Sequence, residues 1–272
     1  MKLRRHPRAC AVLAVLPALC GLLALCGLLA LGAPARAMVG GAELASEAVA
    51  RHVVLILGAQ GNNRSACTGT AIARDLVLTA AHCVEQGATA TVLLRDEGRQ
   101  VKRVRVARAE RHPNFNLETS RSKQETADVA LLKLSEPLPP RVPPAPLGTR
   151  AVVLIGERFI VAGYGITSAE EQFGVLRAAS LMAVRNPSDQ QFRLTDPATR
   201  GEMAGLGACS GDSGGPVFDD ASGRLMVVAV ISWATSARGG AGCGGLTGAT
   251  PLGPYREWIM ETAKKLGSPV AP

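Results

Sequence analysis

At 272 residues the chain is too long for a mini-protein and has the length of one large domain or two small ones. Hydrophobic residues at 47% can fill a core, but aromatics at 3% force the packing onto aliphatic, Ala and Gly contacts, and Gly 30 with Pro 17 argues against many long helices. The formal charge of +8 is concentrated at the amino-terminal end, so it gives no argument for a nucleic-acid partner.

In chain order, Lys2, Arg4, Arg5 and Arg8 make a basic start, residues 9–31 are almost wholly apolar, and Ala35-Arg36-Ala37 has the small residues of an A-x-A site. That succession is expected to be a secretory signal peptide, residues 1–37, cut after Ala37. It would place the mature chain, residues 38–272, in a periplasm or outside the cell. The competing expectation is an uncleaved membrane anchor, because the apolar run is long enough to span a bilayer. The A-x-A site favours cleavage, after which no stable membrane association is expected. Loss of Lys2, Arg4, Arg5, Arg8 and Arg36 lowers the formal charge from +8 to +3. Cys10, Cys20 and Cys26 leave with the leader. Cys67, Cys83, Cys209 and Cys243 remain, an even set that in an exported chain suggests disulfides with three possible connectivities. No C-x-x-C spacing occurs, so no metal is expected, and no cofactor motif is present.

The mature chain reads as short strands separated by turn residues. His52 to Leu57, Thr70 to Ala80, Thr91 to Arg95, Val129 to Leu134, Arg158 to Gly165 and Leu225 to Trp233 carry the apolar and β-branched content of strands. Between them, Arg99 to His112 places Lys102, Arg103, Arg105 and Arg108 on a strand-like stretch. A solvated strand face is the favoured reading there, and a polyanion site the alternative. Asn63-Arg64-Ser65 has the form of a glycosylation sequon but reads better as a polar loop. Residues 135–148 are Pro-rich and extended, dividing the mature chain near its middle. Only the end is helical in pattern: Tyr255, Trp258, Ile259 and Thr262 share one face, with Gly267 as the stop. Many strands without alternating helices define an all-β sandwich or barrel.

Three stretches carry chemistry. "LTAAHCV" puts His82 at the end of an apolar strand, "ETADVALLKL" puts Asp128 just before a run that should be buried, and "CSGDSGGPV" puts Ser213 in a glycine-rich loop. A serine hydroxyl is a weak nucleophile and needs an adjacent base. Histidine titrates near neutrality and can take that proton and return it, and a buried carboxylate can fix the imidazole tautomer.

With "VAGYG", "ISW" and "YREWI" added, these stretches resemble the trypsin/chymotrypsin family of serine proteases over residues 38–263. The resemblance implies two perpendicular six-stranded antiparallel β-barrels, joined near residues 135–150, with a C-terminal helix. It also implies an endopeptidase with Ser213 as nucleophile, His82 as base and acid, and Asp128 as orienting carboxylate. Gly211 and Ser213 would supply oxyanion-hole N–H groups. Ser232 would bond Asp128, and Ser232, Trp233 and Ala234 would pair with extended substrate. Cysteine pairing as Cys67–Cys83 and Cys209–Cys243 follows from the same resemblance, and the shortage of further disulfides is similar to bacterial members.

Gly207 and Ala208 stand where Arg- or Lys-cutting members carry an acid, and Ala234 and Thr247 would narrow the pocket. The implied specificity is elastase-like, for small or medium aliphatic residues before the cut. Met38-Val39-Gly40-Gly41 matches the segment whose new amino group pairs with the acid before the nucleophile, here Asp212. The expected partners are protein or peptide substrates and a proteinaceous inhibitor, and the expected state is a monomer. A catalytically silent binding homologue is the rival reading, disfavoured because His82, Asp128 and Ser213 all stand in place.

Overall fold

A computed structural model describes residues 38–84, 88–95, 101–150, 152–166, 175–184, 191–240 and 242–271. The expected leader, residues 1–37, lies outside the described residues. The described residues build thirteen strands, beginning with β1 (Glu43–Leu44). Six of them, β2 (Val53–Gln60), β3 (Asn63–Ala73), β4 (Leu76–Thr79), β5 (Thr89–Arg95), β6 (Val101–Arg111) and β7 (Ala130–Leu134), close a barrel in the order β2-β3-β4-β7-β6-β5. The other six are β8 (Arg158–Gly163), β9 (Arg177–Ala183), β10 (Phe192–Thr195), β11 (Pro216–Asp219), β12 (Met226–Ala234) and β13 (Thr247–Pro251). They run β9-β10-β13-β12-β11-β8 and close through a β8–β9 pairing, with β1 added to β9. Every strand pairing is antiparallel.

The strands that read as continuous apolar runs are those buried on both faces. Side chains alternate across a strand, and in β4 Leu76 and Leu78 join a central cluster while Val77 points into the first barrel. The same division sends Leu131 of β7 to the centre and Leu132 and Leu134 into the barrel. In β12, Val227 and Val230 face the central cluster, and Val228, Ala229 and Ile231 fill the second barrel with Phe159, Phe192 and Leu194. The central cluster is therefore the joint between the two barrels. The C-terminal helix, residues Arg256–Lys265, closes it with Ile259 and Ala263, together with Tyr255 just before the helix.

Among the described residues two short α-helices, α1 (Glu47–Ala50) and α2 (Leu117–Arg121), precede the C-terminal helix, α3 (Arg256–Lys265). Neither is long enough to give a periodic signal, and α2 is started by Asn116, whose side chain accepts the Thr119 N–H at 2.9 Å. The helix α3 spans Arg256–Lys265, and Gly267 follows it at φ +71°. The expected strand Thr70 to Ala80 is corrected by the structure: a turn at Arg74-Asp75 splits it into β3 and β4. Asp75 is held there by Lys133 of β7 at 2.5 Å and by the Ser268 hydroxyl at 2.6 Å. The basic strand β6 is exposed at Lys102, Arg103, Arg105 and Arg108, and Lys102 pairs with Glu136 at 3.2 Å.

Phe159 is fully buried against Phe192, with ring centroids 5.7 Å apart. Phe159→Ala should therefore cost about 3–5 kcal/mol of stability, read as a lowered urea midpoint with an unchanged slope.

Candidate functional site

Strand β4 ends at Thr79, and a 3₁₀ turn over Ala81–Cys83 carries His82 out of the barrel. Asp128 precedes β7 in a tight turn closed by its own N–H on the Thr126 carbonyl at 2.8 Å. Its carboxylate is 0% exposed and accepts three hydrogen bonds. They come from His82 Nδ1 at 2.7 Å, the His82 backbone N–H at 2.9 Å and the Ser232 hydroxyl at 2.5 Å. Burial opposes the charge, but His82 and Ser232 more than offset it and leave the Asp128 carboxyl below its ordinary value. Burial also pulls the His82 imidazole down, and the Asp128 charge and hydrogen bond outweigh that and hold it above its ordinary value. With Nδ1 bound to Asp128, Nε2 is the nitrogen left to face the cleft.

Ser213 sits in the turn that follows Cys209. Asp212 N–H bonds the Cys209 carbonyl at 3.1 Å, and Gly215 N–H bonds the Asp212 carbonyl at 2.9 Å. Gly214, at φ +79°, leaves no room for a side chain: a Cβ would fall 2.0 Å from Thr79 Oγ1. Among the described residues the N–H groups of Gly211 and Ser213 donate to no protein acceptor, which is what an anion-binding pair requires. No hydrogen bond joins Ser213 Oγ to His82 Nε2 among the described residues. Such bonds commonly tighten only with substrate in place.

Of the expected substrate-binding residues, Ser232, Trp233 and Ala234 line the same cleft, whereas Gly207, Ala208 and Thr247 are buried and outside its lining. A cavity of about 490 Å³ is lined by His82, Ser213, Ser232, Trp233 and Ala234. In the β12–β13 ladder Ala234 lies opposite Thr247, and the buried Thr247 hydroxyl accepts the Ala208 N–H at 3.0 Å. Gly207 forms an isolated bridge with Val39, so the segment after Met38 runs beside this wall. Disulfides join Cys67 to Cys83 and Cys209 to Cys243. Among the described residues Cys67, Cys83 and His82 bring ligand atoms within 4.8 Å, but the disulfide consumes both sulfurs and leaves no thiolate for a metal.

Met38 is 0% exposed, and Gly40 packs so closely on Gly205 that a Cβ would lie 2.1 Å from its carbonyl carbon. Asp212 is equally buried. Its carboxylate accepts the Gly165 and Cys209 N–H groups, each at 2.8 Å, and forms no ion pair among the described residues. Burial, only partly countered by those two N–H groups, pushes its pKa up to about 7.

One contributor had no sequence signal. Thr68, next to Cys67 and fully buried, donates its hydroxyl to the Gly211 carbonyl at 2.8 Å and accepts the Tyr164 N–H at 2.9 Å. Its own N–H bonds the Ser213 carbonyl at 2.8 Å. A threonine in a strand is ordinary, and only its placement under the serine loop sets it apart.

The double barrel with His, Asp and Ser gathered at one cleft defines a class, and comparison with known proteins gives the family. A family model described as Trypsin matches residues 38–259, and the chain belongs to that family. Transmembrane protease serine 9 of Rattus norvegicus is 30% identical over 256 residues, covering 86% of this chain and 23% of that protein. Vitamin K-dependent protein C of Oryctolagus cuniculus is 27% identical, covering 76% and 49% respectively. Serine protease 56 of Mus musculus is 30% identical, covering 72% and 34%. The chain thus spans less than half the length of each of these curated relatives. Among the described residues no helix is long and apolar enough to cross a membrane.

Thr68→Val keeps the shape of the side chain but removes the donor to the Gly211 carbonyl and the acceptor for the Tyr164 N–H. It should destabilise the fold by about 1–3 kcal/mol, whereas Thr68→Ser should restore most of the loss, both read by urea unfolding.

Proposed function

We propose that the chain is a secreted or periplasmic serine endopeptidase acting through an acyl-enzyme on Ser213. The observation that carries this reading is the 2.7 Å bond between His82 Nδ1 and a fully buried Asp128, in a cleft that also holds Ser213. His82 Nε2 takes the Ser213 proton as Oγ attacks the scissile carbonyl, and Asp128 stabilises the imidazolium that results. The unpaired N–H groups of Gly211 and Ser213 receive the developing oxyanion. The imidazolium then protonates the leaving amine, and water repeats the sequence to release the acyl group.

The acyl-side peptide pairs with Ser232, Trp233 and Ala234 as an added strand. Gly207 and Ala208 offer no carboxylate to a basic side chain, while Ala234 and Thr247 narrow the site, so the enzyme cuts after Ala, Val or Leu. The test is covalent labelling by a fluorophosphonate, expected on Ser213 and abolished in Ser213→Ala, together with a peptide library profiled for the residue before the cut. An unlabelled Ser213 rejects the catalytic reading, and preferred cutting after Arg or Lys rejects the specificity.

Acylation needs neutral His82, whose pKa lies above its ordinary value. The rate should therefore fall on the acid side at a pH above about 6.5. Asp128→Asn should move that limb to lower pH and reduce kcat by roughly 10⁴, the loss seen in the Ser-His-Asp template.

Activation is proposed to follow from cleavage after Ala37, which frees the amino group of Met38 to pair with Asp212. Support comes from the buried Met38, the Val39–Gly207 bridge and the buried carboxylate that has no cation among the described residues. An Asp whose folded pKa is raised, here to about 7, loses stability as pH climbs from its unfolded value near 4 toward 7. A chain beginning at Ala37 should show that loss in its melting temperature. One beginning at Met38 should not, because the ammonium restores the charged form of Asp212.

A further inference from the structure

Outside the cleft beside Trp233, a second and larger cavity of about 970 Å³ opens on the same reacting groups. The two cavities share His82, Ser210 and Ser213 and no other lining residue, so they meet at the nucleophile and diverge from it. The smaller one holds Ser232, Trp233 and Ala234, the acyl side in the reading above. The larger one holds Cys67 and Gly211 and runs between the β2–β3 hairpin and strand β6. A peptide threaded past Ser213 with its acyl side on Trp233 has this cavity as the course for the segment beyond the cut bond.

Among the described residues the charge lining the second cavity is one-sided. Arg64 enters it from the hairpin, and Arg105 and Arg108 from β6. No Asp or Glu lines it among the described residues. Among the described residues Arg64 bonds the Gly61 and Asn63 carbonyls, at 2.8 and 3.1 Å, and no carboxylate. Arg105 forms no side-chain hydrogen bond or ion pair among the described residues. Arg108 is already engaged by Glu110 at 2.7 Å. Two guanidinium groups with no acidic partner among the described residues therefore border the path, each able to receive a carboxylate in bidentate fashion.

Taking this cavity as the course of the departing segment, we propose that Arg64 and Arg105 make it select acidic residues in the first few positions after the cut bond. The proposal rests on the endopeptidase reading. Both arginines are exposed, so each pair contributes modestly and is screened by salt. The selection acts mainly by steering and holding acidic peptides, and the product amine leaves with its carboxylates still drawn to the same groups.

Two measurements test it. The first is cleavage of quenched peptides with Ala before the cut bond and either Asp-Glu-Asp or Asn-Gln-Asn after it. The acidic series should have about three- to tenfold higher kcat/KM at low salt, shrinking toward parity near 0.5 M salt. The second is binding of the same labelled peptides to Ser213→Ala by fluorescence anisotropy, which needs no turnover and should show the same ratio.

In Arg64→Gln/Arg105→Gln the acidic-to-amide ratio should approach one, and Arg105→Glu should turn it toward a Lys-containing series. The ratio is taken within each variant, so a general loss of folded protein cancels. Equal handling of the acidic and amide series by the unsubstituted chain overturns the subsite, as does a preference that survives the double substitution. Tight binding of a sulfated polysaccharide without any discrimination between the peptides also overturns it. Acid-selective binding to Ser213→Ala with no cleavage by the unsubstituted chain would support the subsite and reject the endopeptidase reading.

Discussion

The carboxylate of Asp128 is the point on which the site depends. A buried charge is tolerable only when its desolvation is repaid by close partners, and the three donors to Asp128 come from both halves of the molecule. Two belong to His82 at the end of β4 in the first barrel, and the third is Ser232 in β12 of the second. Placing the acid correctly therefore requires both barrels to be formed and docked. The central cluster of Leu76, Leu78, Leu131, Val227 and Val230 does that docking, so the apolar joint and the polar site are two consequences of one packing arrangement.

A second buried acid, Asp212, has only two N–H groups and no cation among the described residues. The contrast with Asp128 is chemical. Asp128 has a neighbouring imidazole and is held low, whereas Asp212 has backbone alone and is driven up to about 7. The loop that carries Ser213 is thus flanked by one satisfied acid and one whose charge lacks a counterpart. Thr68 meets the same loop from below, fixing the Gly211 and Ser213 carbonyls while their N–H groups stay free.

Much of this was legible in the sequence because the chemistry is local. His82, Asp128 and Ser213 each carry their own flanking pattern, and β4, β7 and β12 announce themselves as apolar runs because both faces are buried. What was hidden depends on distant partners. The turn at Arg74-Asp75 contains neither Gly nor Pro, and it is held by Lys133 and Ser268, the latter nearly two hundred residues away. The helices α1 and α2 are too short for a period to emerge. The four cysteines alone left three connectivities open, and it took the family likeness to choose among them. Thr68 could not be singled out, since nothing in "ACTGT" says which carbonyl its hydroxyl will meet.

The contact of Ser268 with Asp75 and Lys133 has a meaning beyond local geometry. It follows α3, which closes the joint between the barrels, and it fastens the end of the chain to the β3–β4 turn of the first barrel. The last segment therefore acts as a strap across both halves. Opening either barrel means lifting the strap, which ties local opening to a larger and rarer event. Proteases grip extended segments, which a folded barrel presents only when it opens. Fastening the segment after α3 across the joint thus bears on how seldom either barrel opens, and with it on how long the folded chain withstands proteolysis.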